Sequence, residues 1–106
     1  MARLVVFVDS PYHLTPAEAE DWLRGEAVGL ARVDGVRRGV LSRLASPSEQ
    51  WSDHWGWMIE LECEDPDGSQ RAVSDRAWKL VLGDLRLLGM RPSVALVAAS
   101  AELTGT

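Results

Sequence analysis

The most restrictive feature of this sequence is the order in which strand-like and helix-like patterns follow one another. The β-branched and aromatic run Arg3–Asp9 predicts a first strand. Shortly after it, Thr15 can cap a helix, Pro16 suits the first helical position, and Glu18 completes a capping box. Apolar residues at helical spacing then continue to about Arg32, so we expect one long amphipathic helix.

The rest of the chain contributes three more strands and one more helix. Val36–Leu44 alternates as a second strand, and Trp55–Glu64 has a period of two with one strongly apolar face. Ser74–Leu88 has apolar residues at helical spacing, and Ser93–Ser100 is again typical of a strand. Gly83 inside the second helix costs about 1 kcal/mol relative to alanine. We therefore expect a neighbour packed closely against it, or a bend.

The resulting order, βαββαβ, predicts a ferredoxin-like α+β sandwich with a four-stranded antiparallel sheet and both helices on one face. At 106 residues the chain is expected to form one domain over residues 1–106. The opposite sheet face has a mixed lining that includes Met58 and Glu60, while aliphatic residues dominate the first and last strands. Pairing two such faces across a two-fold axis is the simplest way to cover them, so we predict a homodimer through the sheet faces.

Charge and residue counts exclude several classes of protein. Sixteen acidic against eleven basic residues give a formal charge of −5, which argues against a nucleic-acid partner. Cys63 is the only cysteine, and His13 and His54 are the only histidines, so we expect no disulfide and no metal site. There is no glycine-rich phosphate loop, and we expect no cofactor. The short apolar run near the N-terminus predicts neither a signal peptide nor a membrane span, and favours a cytoplasmic protein.

Several charged residues have two interpretations. Arg43 and Arg86 could bind a carboxylate, while Arg37 and Arg38 could pair with the acidic residues of the third strand. Those acidic residues and the turn after them are more typical of a solvated edge than of a cation site. Cys63 is expected to be a small buried residue and not a nucleophile.

The element order, the capped first helix, the join Val33–Val36 and the strand segment Trp57–Glu62 together resemble the dimeric α+β barrel superfamily. Its EthD-like, stress-responsive barrel and antibiotic-biosynthesis monooxygenase branches have a similar Gly-Val at the start of the second strand. Their third strand often begins with an aromatic residue and ends in acidic positions. The resemblance extends over about Leu4–Ala99 and implies a dimer. Members include cofactor-free monooxygenases, polyketide cyclases, haem-degrading enzymes and proteins without known activity.

The resemblance also implies a ligand pocket between the sheet and the helices. Carried onto this chain, its lining is Trp22 and Leu23 of the first helix, Trp55, Trp57 and Ile59 of the third strand, and Trp78 of the second helix. Such a pocket would suit a small apolar ligand, or a flat aromatic or polyketide-like one. The same large residues at core spacing could instead simply fill the core.

Three residues are candidates for proton transfer. His13 and Tyr12 lie in the loop before the first helix, and His54 opens the third strand. By resemblance, the reaction would be cyclisation or oxygenation without metal or organic cofactor. Where related cyclases have a histidine in the third strand, this chain has Trp57, which argues against the same cyclase mechanism. The alternatives are a non-catalytic binding or dimerisation module with a filled tryptophan-rich core and, less favoured, a domain that senses an amino acid.

Overall fold

A computed structural model of the protein describes residues 2–11, 13–45, 56–97, 100, 101 and 103. The four strands are β1 (Arg3–Val8), β2 (Val36–Arg43), β3 (Trp57–Cys63) and β4 (Ser93–Val97). The three helices are α1 (Pro16–Ala31), α2 (Gly68–Ser74) and α3 (Arg76–Leu87). All paired strands are antiparallel, in the order β2-β3-β1-β4. The predicted ferredoxin-like α+β fold is confirmed.

Helix α1 begins where the sequence predicts, because its capping box is formed on both sides. The Thr15 hydroxyl accepts a hydrogen bond from the Glu18 amide at 3.2 Å, and the Glu18 carboxylate accepts one from the Thr15 amide at 3.0 Å. Two amide groups that a helix start would leave without partners are thus satisfied. This fixes the position of α1, which forms one wall of the candidate site.

The helix predicted over Ser74–Leu88 is present as α3, but the segment between β3 and β4 also contains a helix that the sequence does not predict. A separate short helix, α2, precedes α3, and the order is therefore βαββααβ. Asp75 separates the two helices, since its backbone is extended while its side chain accepts a hydrogen bond from the Ala77 amide and caps α3. Helix α2 is seven residues long and polar, so it has no apolar periodicity from which a sequence could predict it.

Two glycines occupy opposite environments. No neighbour lies within 4 Å of the position that a Cβ would take at Gly83, so the close packing expected there is not found. Gly35, in the turn before β2, has φ of +89°, and a Cβ there would overlap the backbone carbonyl of Gly68 at the start of α2. The turn and α2 can approach this closely only because Gly35 has no side chain.

The two faces of the sheet are distinct. The face toward the helices carries the core residues of β1 and β3, which are Leu4, Val6, Val8, Trp57, Ile59, Leu61 and Cys63. Burial raises the pKa of the Cys63 thiol, as expected for a small buried residue. The core is completed by aliphatic residues of α1 and α3 such as Leu23, Leu30 and Leu85, all 0% exposed.

The outer face of the sheet is mixed, as the sequence predicts. Met58 and Glu60 of β3 lie on it, next to Phe7 and Val5 of β1. Arg3 pairs with Glu60 at 3.2 Å across this face. The expected pairing of the β2 arginines with acids of the third strand is confirmed by Arg37 and Glu62, whose charged atoms lie 3.8 Å apart.

Strand β4 lies at one edge of the sheet and is little covered. Val94 and Leu96, on the face toward the helices, are 44% and 48% exposed. Ala95, on the outer face beside Val5, is exposed as well. Within the described ranges, none of the helices has the length and hydrophobicity that crossing a bilayer requires.

Candidate ligand-binding site

The aromatic and aliphatic residues predicted to line a pocket are mostly parts of the core. Trp57 and Ile59 are each 2% exposed, Trp78 is 4% exposed and Leu23 is fully buried. Trp22 is half-buried and packs against the same core. Trp55 lies outside the described residues. Leu23, Trp57, Ile59 and Trp78 all belong to the one buried core between the sheet and the helices.

Of the three candidates for proton transfer, one lies within the described part of the chain. His13 is exposed in the loop between β1 and α1. Tyr12 and His54 lie outside the described residues. His13 lines neither of the two cavities described next.

A cavity of about 270 Å³ lies between the C-terminal half of α1 and the edge strand β2. Its lining residues are Arg24, Ala27, Val28, Ala31, Gly39, Val40, Leu41 and Ile59. All of them except Arg24 are apolar or glycine. We call this the apolar cleft. Of the predicted pocket residues that the structure describes, Ile59 alone lines it.

The apolar cleft exists because small residues face one another where α1 crosses β2. Ala27 and Ala31 are on the α1 side, and Gly39 is on the β2 side. A Cβ at Gly39 would lie 3.2 Å from both the Ala31 Cβ and a methyl group of Leu61. The helix and strand therefore approach closely at Gly39, and the space beside this contact is left open.

A second cavity of about 340 Å³ is lined by Glu20, Arg24, Leu41 and Arg43. It shares Arg24 and Leu41 with the apolar cleft, so the two adjoin. We call this second cavity the polar end. Together the two cavities give one site with an apolar part and a charged part, which is the usual composition of a small-molecule site.

Glu20 is the centre of the polar end. Its carboxylate accepts hydrogen bonds from Arg43 Nε at 2.7 Å and Arg43 Nη2 at 2.6 Å. The indole N–H of Trp57 donates to the same carboxylate at 3.1 Å, and Arg24 Nη2 lies 3.4 Å away. Only 12% of the Glu20 side chain is exposed.

These donors hold the Glu20 carboxyl in its ionised form. The hydrogen bonds from Arg43, and secondly from Trp57, lower its pKa from 4.5 to about 2. The same contact raises the pKa of Arg43. Glu20 is therefore an anion at neutral pH, and its two short hydrogen bonds fix the Arg43 guanidinium.

The pH dependence of stability is expected to report this contact. Because the folded-state pKa of Glu20 is lower than its ordinary value, its contribution is fully present above pH 4.5 and is lost as the pH falls to about 2. The difference in free energy of unfolding between the wild type and Glu20→Gln should therefore shrink over this range. Urea unfolding at a series of pH values measures it.

Asp21→Asn is the matched control, since it removes one carboxylate from the exposed face of the same helix. It should not reproduce the pH-dependent difference. A difference for Glu20→Gln that stays constant with pH would contradict the assigned contact.

Sequence reasoning identified Arg43 as a residue that could bind a carboxylate, but did not identify the carboxylate. Arg43 and Trp57 face each other in the β2–β3 register, and α1 places Glu20 over both. The sequence therefore indicated only that Arg43 could bind some carboxylate, and it did not indicate that this carboxylate is on α1. Among the described residues, no group of three histidine, cysteine or acidic side chains could hold a metal ion.

No protein-family model matches the sequence, and no curated protein matches it in a sequence comparison. Solved structures do match the fold. The cofactor-independent oxygenase SnoaB from Streptomyces nogalater is 22% identical, with a TM-score of 0.66 over 98% of this chain and 97% of that one. An ethyl tert-butyl ether D family protein from Bacillus halodurans is 18% identical, with a TM-score of 0.73 over 94% and 99%.

A third structure, a dimeric ferredoxin-like protein of unknown function from Thermobifida fusca, is 9% identical, with a TM-score of 0.67 over 92% and 90% of the two chains. At these identities the likeness shows a shared fold and does not transfer an activity. The resemblance to the α+β barrel superfamily predicted from the sequence is confirmed at the level of the fold.

Proposed function

We propose that this protein is a cytoplasmic homodimer that binds a small apolar or aromatic molecule in the apolar cleft. The observation that carries this proposal is the cleft itself, which has apolar walls on two regular elements and a charged group at one end. Sites on helices and strands hold their geometry better than sites on loops. In this proposal the ring or chain of the ligand packs against Ala27, Ala31 and Leu41.

Filling the cleft is expected to weaken binding. Val28 lies at the rim of the apolar cleft and is 46% exposed, so Val28→Trp adds an indole at the opening without disturbing buried residues. Isothermal titration with a neutral two-ring probe, naphthamide, should show saturable binding to the wild type. The affinity of Val28→Trp should be lower by roughly tenfold or more, which corresponds to about 1.4 kcal/mol.

Leu80→Trp is the control, because Leu80 is 57% exposed on α3 and lines neither cavity. It should bind naphthamide as the wild type does. Equal loss of affinity in both variants would contradict the proposal.

A finer form of the proposal is a cofactor-independent cyclase or monooxygenase acting on an aromatic or polyketide-like substrate. The fold shared with SnoaB and the resemblance described above support it. In this form Tyr12, His13 and His54 transfer protons. The competing proposal is a non-catalytic binding or dimerisation module with a filled tryptophan-rich core. The burial of Trp57 favours it. Following the bound probe over time for chemical conversion distinguishes the two.

In this proposal the two subunits of the homodimer contact each other through the outer faces of their sheets. Two residues next to one another in β4 provide a matched pair for this part of the proposal: Ala95 lies on the outer face, and Val94 on the face toward the helices. Ala95→Glu should shift the protein from dimer to monomer in sedimentation equilibrium, because it adds a charge to a surface that the dimer would bury, where an unpaired charge is costly. Val94→Glu should leave the dimer intact. A dimer that persists in Ala95→Glu would contradict the placement.

A further inference from the structure

The polar end of the site carries more positive than negative charge. Arg24 and Arg43 face a single carboxylate, that of Glu20. The chain as a whole has a formal charge of −5, so this local excess of positive charge is opposite in sign to the rest of the molecule. Such a position attracts anions and not cations.

The two arginines have donor groups that Glu20 does not use. A guanidinium has five N–H donors, and Arg43 gives Glu20 only its Nε and one terminal nitrogen. Arg24 reaches Glu20 with one terminal nitrogen at 3.4 Å. Both arginine side chains are 68% exposed. Within the described part of the chain, the remaining donors have no other ion pair, and they border the cavity.

Glu20 holds Arg43 in one orientation through two short hydrogen bonds to a single carboxylate. A guanidinium fixed in this way loses little side-chain entropy when it binds a second anion. Glu20 is thus a positioning residue, and the arginines are the contact groups.

From these observations, and resting on the proposed function, we infer that the ligand is an apolar or aromatic carboxylate whose hydrocarbon part occupies the apolar cleft and whose carboxylate binds Arg43 and Arg24 at the polar end. The two cavities share Arg24 and Leu41, so one ligand can contact both. The apolar lining favours a carboxylate with a hydrocarbon body over an inorganic anion, since an inorganic anion gains nothing from that lining.

Two probes of the same shape test this inference. Naphthoate and naphthamide differ in charge but hardly in size, and each is titrated into the protein at neutral pH. We expect naphthoate to bind roughly tenfold more tightly, as hydrogen bonds to charged groups contribute more than neutral ones. Added salt should lower the affinity for naphthoate and leave the affinity for naphthamide unchanged.

Arg43→Gln should remove most of the preference for naphthoate while retaining the affinity for naphthamide. Because Arg43 also supports Glu20, Arg24→Gln is the second variant. It loses only a 3.4 Å contact from an exposed side chain and should reduce the preference by roughly threefold. Arg86→Gln is the control, since Arg86 is exposed on α3, lines neither cavity, and should keep the full preference.

The outcomes separate this inference from the proposed function. If both probes bind equally and Val28→Trp weakens both, the site stands and the inference of an anionic ligand is overturned. If the preference persists in both Arg43→Gln and Arg24→Gln, it is overturned as well. If neither probe binds the folded protein, the proposed function itself fails. Competition of inorganic phosphate with naphthoate at equal concentration would also overturn the requirement for a hydrocarbon body.

Discussion

Replacing Gly35 with alanine is expected to lower the free energy of unfolding by about 3 kcal/mol or more. Two costs add at this position. The backbone has φ of +89°, where residues other than glycine are strained, and the new methyl group would overlap the carbonyl of Gly68. The obstructing atoms belong to the backbone of α2, so no side chain can rotate away. The turn before β2 and the start of α2 would have to separate.

Gly25→Ala provides the control for this experiment, with an expected effect of opposite sign. Gly25 is inside α1, and apart from the adjacent backbone of the helix no atom lies within 4 Å of the position that its Cβ would take. Alanine should there raise the free energy of unfolding by about 0.5–1 kcal/mol. Urea unfolding followed by far-ultraviolet circular dichroism measures both variants. A similar loss of stability in both would show that the contact between Gly35 and Gly68 does not govern the result.

Trp57→Ala is expected to cost about 3–5 kcal/mol, which is the range for deleting a buried aromatic side chain. Trp57 is 2% exposed and also donates its indole N–H to Glu20 at 3.1 Å. Trp57→Phe keeps much of the ring volume but removes the donor, and should cost about 1.5–3 kcal/mol. Comparing the two separates packing from hydrogen bonding.

Trp22→Ala serves as the control, because Trp22 is only half-buried at the edge of the same core. It should cost less than Trp57→Ala. Circular dichroism is the appropriate probe, since each variant alters tryptophan emission. A loss below about 1 kcal/mol for Trp57→Ala would mean that its indole faces an open pocket and not the core.

The elements that the sequence predicts well are those fixed by local interactions. The capping box at Thr15 and Glu18 satisfies donors three residues apart, so it can be read without tertiary information. The alternation of Trp57–Cys63 reproduces the buried and half-buried positions of β3 in turn. In both cases the pattern and its physical cause lie within one segment.

The site depends on contacts between distant segments, and this is why the sequence predicted only parts of it. Glu20 meets Arg43 and Trp57 across 23 and 37 residues of sequence. Only the sheet register brings those two partners together. The apolar cleft arises where Ala31 and Gly39 meet, and small residues give no signal in a search for large ligand-lining side chains. The tryptophans were the strongest indication of a ligand pocket in the sequence, but the tryptophans that the structure describes are mainly core residues.

The place of β4 at the margin of the sheet has a consequence for hydrogen exchange. Within the described part of the chain, this strand pairs only with β1. In an antiparallel edge strand, every second amide points away from its neighbour. An isolated subunit should therefore exchange alternate amides of Ser93–Val97 rapidly and protect the others. Uniform protection along this strand would show that a strand of a neighbouring chain pairs with β4. In that case a dissociated subunit would expose the unpaired edge of β4, and this edge would be its main site of aggregation.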